Sequence, residues 1–203
     1  MARAAVILAG GRSTRFGEAD KAVAPLAGVP MIRRVADRLV AEISELVVNC
    51  RSDQTAAIRE AMAGYPHPVT FAEDEEPDEG PMAGIKTGLR AVEAEYTIVV
   101  ACDMPFVDAG LVSYLFERAV SHDAAVPKLD DGWYQTTHAV YRARAMADAC
   151  EAALTAGEHK IIAPLFELDY VVVGDEAIRA HGSTESFKNC NTREEFEAAA
   201  ERL

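Results

Sequence analysis

The chain has 203 residues, half of them apolar, and a formal net charge of −13, with 15 arginines and only 5 lysines as its basic residues. That length and apolar content suit one globular domain with a buried core, and the negative charge excludes nucleic acid and anionic membrane as partners, so any bound anion must be caught by a local positive site. No apolar run approaches the roughly 18–20 residues of a membrane span, and the first run, Ala4–Ala9, is too short for a secretion signal, so the chain reads as cytoplasmic.

In chain order, Ala4–Leu8 reads as a strand and Met31–Val40 as a helix, with Met31, Ile32, Val35, Ala36, Leu39 and Val40 at helical spacing. Glu45–Asn49 reads as a strand, Gln54–Ala63 as a helix, Val69–Ala72 as a strand and Met82–Ala94 as a helix. Tyr96–Ala101, "YTIVVA", is a near-continuous β-branched run of the kind covered on both faces. After a helix over Asp108–Ser121 the rhythm loosens. Strands are expected at Ala124–Pro127, Gln135–Tyr141 and Tyr170–Val173, with helices at Ala143–Ala156 and about His159–Phe166. A last helix over Thr192–Leu203 opens on a capping box, Thr192 with Glu195. The pattern predicts an α/β fold, a Rossmann-like three-layer α/β/α sandwich with a mostly parallel sheet and antiparallel additions at one edge. A single domain is expected, with a nucleotide-binding half over about 1–107 and an acceptor-binding half over about 108–203.

The four cysteines, Cys50, Cys102, Cys150 and Cys190, form no C-x-x-C pair and read as reduced thiols. The histidines show no metal-ligand spacing. Trp133 is the only tryptophan, in a polar loop; burial is the expected reading and stacking on a ligand ring the alternative. His138 reads as core or as pocket lining.

The first strand runs into "LAGGRSTRFGEADK", residues 8–21. In open α/β sheets ligands sit beyond the carboxyl ends of the strands, and Gly10 and Gly11 follow such an end. Glycine lets a ligand approach the backbone, and successive N–H groups form an anion nest. Arg12, Arg15 and Lys21 add local positive charge to a very acidic chain. The segment fits neither the P-loop pattern nor the dinucleotide fingerprint. Asp103 ends the buried "TIVVAC" run, where a carboxylate can hold Mg²⁺ against phosphates.

These residues carry a resemblance. "LAGGRSTRFG" followed by Lys21 is similar to the signature of the nucleotide-diphospho-sugar transferase superfamily, with Phe16 where methionine or leucine is usual. More narrowly, the chain resembles the molybdenum cofactor guanylyltransferases. Four further segments match in order: "VVNC" ending near Asn49, "AED" with Asp74, "GPMAGI" over Gly80–Ile85, and "ACDMPFV" with Asp103. The closing "FKNCNTREEF" matches as well, with Arg193 in place of proline.

The resemblance implies that Leu8, Ala9, Gly10 and Gly11 cradle a nucleotide along their backbone, that Asn49 and Asp74 bind it, and that Lys21 and Arg15 contact its phosphates. It implies Asp103 as the Mg²⁺ ligand, and places Asn189 and Asn191 near the second substrate. Gly10 stands where related cytosine users carry alanine, which favours GTP. The implied reaction transfers GMP from GTP to the phosphate of molybdenum-molybdopterin and releases pyrophosphate. Docking to molybdoenzymes or cofactor-biosynthesis proteins would follow. The rivals are nucleotidyl transfer to another phosphorylated acceptor, such as a cobamide precursor, a sugar 1-phosphate or a cytosine-type pterin dinucleotide, and a non-catalytic cofactor carrier.

Overall fold

The computed structural model describes residues 2–11, 20–74 and 79–203. Its central strand, β1 (Arg3–Leu8), pairs in parallel with β4 (Glu45–Cys50) on one side and β6 (Tyr96–Ala101) on the other. A short hairpin precedes β4: β2 (Pro25–Leu26) and β3 (Val29–Pro30) turn through Ala27 and Gly28, at φ 46° and 81°. Two left-handed residues in a two-residue hairpin match the strand twist. The sequence reading missed this hairpin, because neither strand is long enough to show a period.

The remaining strands are β5 (Val69–Glu73), β7 (Ala124–Lys128), β8 (His138–Arg142) and β9 (Tyr170–Gly174). The main sheet has seven strands in the order β5-β4-β1-β6-β8-β7-β9. Only β8 runs against its neighbours, so antiparallel pairing enters on the β9 side of β6. The fold is thus the mostly parallel three-layer sandwich expected.

Alternation along the strands feeds both helical layers. Ala5 and Ile7 of β1 pack in one core with buried residues of α1 (Met31–Leu39), α2 (Thr55–Ala61), α4 (Ala109–Ala119) and α6 (Asp175–His181). Val6, between them, points the other way into the core under α3 (Pro81–Arg90) and α5 (Ala143–Thr155). Each fully buried Ile, Leu or Val contributes roughly 1.5–3 kcal/mol of apolar burial. A third, smaller cluster seats α7 (Arg193–Ala200) on Leu26 of the hairpin and Met31 of α1. Thr192 and Glu195 form the expected capping box of α7.

Three expectations are corrected. Residues 159–166 do not form a regular helix; Pro164 instead opens a 3₁₀ turn, Pro164–Glu167. The helix expected over Met82–Ala94 ends at Arg90. Trp133 is 73% exposed rather than buried. Among the described residues, no helix is long and apolar enough to cross a membrane.

Candidate nucleotidyl-transfer site

Parallel register brings the site together. Leu8 lies opposite Asn49 of β4 and Ala101 of β6, so three strands end at one level. The chain beyond β1 is held there by the Ala9 N–H, which donates to Asn49 O at 2.8 Å, and by the Cys102 N–H, which donates to Leu8 O at 3.0 Å. Gly10 and Gly11 follow, with Asp74 just past β5 and Asp103 just past β6. Arg15, with Arg12, lies outside the described residues.

Lys21 is buried, and its Nζ donates to Asp103 Oδ2 at 2.8 Å and to Asn191 Oδ1 at 3.1 Å. Adjacent Asp20 is not its partner: Asp20 Oδ1 accepts from the Ala22 N–H and caps the 3₁₀ turn Lys21–Val23, which aims the lysine across the sheet end. The backbone carbonyl of Asp103 accepts from the Cys190 N–H at 2.9 Å, which ties the C-terminal segment to the same point. Cys190 is buried while Asn189 and Asn191 on either side are exposed, the alternation of extended chain. Both asparagines line a cavity of about 440 Å³ together with Phe106, Lys188, Glu195 and Arg202. Asn191 therefore reaches from this cavity to Lys21.

The other carboxylate oxygen, Asp103 Oδ1, is buried and has no hydrogen-bond partner among the described residues. A hard, anionic oxygen left over in this way fits one ligand of Mg²⁺, which typically takes one or two carboxylates and completes an octahedron with phosphate oxygens and water. No cluster of three His, Cys, Asp or Glu side chains occurs among the described residues, so the protein offers no complete metal cage there.

On the β5 side, Asn49 is 2% exposed. Its Nδ2 donates both hydrogens inside the protein, to Ala72 O at 3.2 Å and to Asp74 Oδ1 at 2.6 Å. Asn49 thus orients Asp74, and only its carbonyl oxygen remains to face a ligand. Asp74 Oδ2 looks at Gly10, where a Cβ would sit 2.5 Å away. Burial raises the Asp74 carboxyl above its ordinary range, against the lowering effects of the Asn49 hydrogen bond and nearby Arg51. Two glycines of α3 separate in role. A Cβ on Gly84 would collide with Asn49 Oδ1, and one on Gly88 with Val6. The first leaves room for the site, and the second for helix-on-sheet packing.

Both nearby thiols are shifted away from the reactive thiolate form. Burial pushes Cys102 far above the usual thiol range and Cys190 up to about 11. His138 is fully buried and held neutral, its pKa lowered to about 3 by burial. It sits beside Ser186 Oγ at 3.3 Å and edge-on to Phe187, in the core rather than in a pocket.

A buried lysine paired with a carboxylate beside two glycines at a sheet end is equipment for phosphoryl chemistry by positioning. Residues 5–173 match the family described as the MobA-like NTP transferase domain. The chain belongs to that family, and it is a nucleotidyltransferase. A relative from Natronomonas pharaonis, named probable molybdenum cofactor guanylyltransferase, is 53% identical over 99% of this chain and 98% of its own length. A second of the same name, from Haloferax mediterranei, is 38% identical over 98% of this chain and 94% of its own. Among solved structures, the molybdopterin-guanine dinucleotide biosynthesis protein A of Archaeoglobus fulgidus superposes with a TM-score of 0.79. It is 28% identical and covers 98% of this chain and 97% of that one.

Lys21 and Gly10 were expected from one motif and Asp103, Asn49 and Asp74 from three others, and the fold brings all five to one sheet end. The sequence reading missed Arg51 and Gln54, which stand among polar residues at the start of α2 and belong to no recognisable motif.

Proposed function

We propose that this enzyme transfers GMP from GTP to the terminal phosphate of molybdenum-molybdopterin, forming the guanine dinucleotide cofactor and releasing pyrophosphate. The observation that carries the reading is the Lys21–Asp103 pair beside the two glycines, with a buried Oδ1 that has no partner among the described residues. The names of the full-length relatives support the choice of acceptor.

The acceptor phosphate is already an anionic nucleophile, so the protein need not supply one. What it must supply is alignment and neutralisation of charge as the α-phosphate is attacked and pyrophosphate departs. Lys21 Nζ, released from Asp103 as the nucleotide enters, would neutralise phosphate oxygens. Arg15 would add to that charge. Asp103 would hold Mg²⁺ through Oδ1. When bound, the ion would polarise the phosphates and screen the charge of the leaving pyrophosphate. The N–H groups of Gly10 and Gly11, which follow β1, would face the nucleotide.

Asp74, ionised, can accept from both N1–H and N2–H of guanine, whereas cytosine offers only one exocyclic amine. The absence of a side chain at Gly10 leaves the space that Asp74 Oδ2 occupies, and from there this oxygen would meet a base. Asn189 and Asn191, at the rim of the 440 Å³ cavity, would receive the pterin phosphate close to Lys21. Reaction in the cytoplasm belongs to the same proposal, and the four free cysteines agree with it.

The test is a purified assay with Mg²⁺, molybdenum-molybdopterin and either GTP or CTP. Pyrophosphate release that needs both GTP and the pterin supports the proposal. Release with another phosphorylated acceptor alone would redirect it.

A further inference from the structure

Gln54 stands at the junction of β4 and α2 and is 3% exposed. A primary amide has two N–H donors and a carbonyl acceptor, and here all are used. Nε2 donates to Ala9 O at 3.1 Å and to Asp20 Oδ2 at 2.7 Å, and Oε1 accepts from the Arg51 N–H at 3.0 Å. Ala9 ends the approach from β1, and Asp20 immediately precedes Lys21. One buried side chain therefore joins both flanks of the glycine-rich segment, which the sequence separates by ten residues.

The constraint is passed on at each end. On the lysine side, Asp20 uses its other oxygen to accept from the Ala22 N–H at 3.0 Å, fixing the turn that carries Lys21. On the glycine side, Arg51 Nη1 donates to Gly10 O at 2.9 Å and Gly11 O at 3.1 Å. The carbonyls of Ala9, Gly10 and Gly11 thus all turn toward the β4–α2 junction. A trans peptide is planar, with N–H and C=O opposed, so the N–H groups of Gly10 and Gly11 turn away from that junction. The Gln54 side chain makes no cap bond to α2, so its polar groups serve the turn and not the helix.

We infer that Gln54 is a positioning residue for nucleotidyl transfer: acting through Ala9 and Asp20, it holds the nucleotide-facing backbone and Lys21 at a fixed separation. The inference rests on the proposed guanylyl transfer for its kinetic consequence, but its structural content can be read without substrate.

Gln54→Glu keeps size and shape but sets a carboxylate oxygen against the Ala9 carbonyl and the Asp20 carboxylate. The expected result is a fall in kcat with Mg·GTP and molybdenum-molybdopterin of about 100-fold, as for reacting groups displaced by an ångström, with the pterin KM unchanged. Acidification should recover part of the loss, because the introduced carboxyl regains a donor once it is protonated. Gln54→Met, similar in length but without polar groups, should lose kcat without that recovery. In the substrate-free protein, hydrogen exchange of the Ala22 amide should quicken in Gln54→Glu, while that of the Ile58 amide, bonded to the Gln54 backbone carbonyl, should not. Full turnover in both variants, or equal quickening of both amides, overturns the inference. A wild-type protein inactive with GTP would overturn the proposed reaction instead, and the two amides would still decide the role of Gln54.

Discussion

Lys21 Nζ lies 2.8 Å from Asp103 Oδ2, joining residues 82 apart in sequence at the shared end of β1 and β6. The pair is mostly withdrawn from water, with side-chain exposures of 9% and 17%. Lys21→Ala is therefore expected to act twice. Turnover should fall by about 100-fold or more, the usual cost of losing a fixed charge aimed at a transition state. Stability should fall by about 3 kcal/mol, the low end for unpairing a buried charge because Asp103 keeps some exposure. Rates and urea midpoints measured on one preparation separate the two effects, and Lys21→Ala turning over at the wild-type rate refutes the role of this lysine.

Gly10 controls the space in front of Asp74. Gly10→Ala puts a methyl 2.5 Å from Asp74 Oδ2, so the carboxylate must swing aside. We expect kcat/KM for GTP to fall about tenfold or more, as for one lost charged hydrogen bond, and the preference for GTP over CTP to narrow. Parallel assays with the two nucleotides check this. An unchanged GTP-to-CTP ratio would remove Asp74 from base selection.

The Asp74 carboxyl titrates above the ordinary aspartate range, mainly because it is buried. Binding of guanine through its ionised form should weaken as pH falls through that raised value. The stability effect has the opposite sign: the folded state holds this proton more tightly than the unfolded chain. Stability therefore declines as pH rises from the unfolded pKa of about 3.9 to the raised one. Asp74→Asn should flatten both dependences, read as the KM for GTP and the denaturant midpoint from mildly acidic to neutral pH.

His138 gives a contrasting profile. Its pKa is lowered to about 3 by burial, so the unfolded chain takes up a proton first, near pH 6.5. Stability is whole above that value and is lost progressively as pH falls toward 3. In His138→Gln the acid-side loss should be smaller, checked by melting temperature against pH.

Gly88 separates packing from chemistry. Gly88→Ala drives a methyl into Val6 of β1, which should cost about 1–3 kcal/mol, as overpacking does. Turnover per folded molecule should stay at the wild-type value, since Gly88 faces the core while Gly84, one turn earlier, faces Asn49.

Much of this architecture could be read in advance because its signals are local. The β-branched run Tyr96–Ala101 became β6 with those bounds, and Thr192 with Glu195 became the capping box of α7. The helix α6 carries no such local signal, because it is seven residues long and buries only Ile178. The helix expected near residue 160 failed because Pro164 cannot continue one. For the site, Lys21 and Asp103 could each be named from their motifs, but their mutual bond depends on β6 carrying Asp103 to the sheet end and on the Asp20-capped turn carrying Lys21 there. Asn49 could be named too, but its spending of both amide hydrogens on Ala72 and Asp74 could not be foreseen from a strand-end asparagine. Gln54 looked like the first residue of a helix; its reach to Ala9 and Asp20 exists only in the folded chain.

The central claim is guanylyl transfer to a pterin phosphate, and following the α-phosphate of GTP tests it most directly. With α-labelled GTP, Mg²⁺ and molybdenum-molybdopterin, the label should appear in a pterin dinucleotide while the β- and γ-phosphates leave together as pyrophosphate. Label that stays in GTP, or that leaves as free GMP without entering the pterin, would contradict the account.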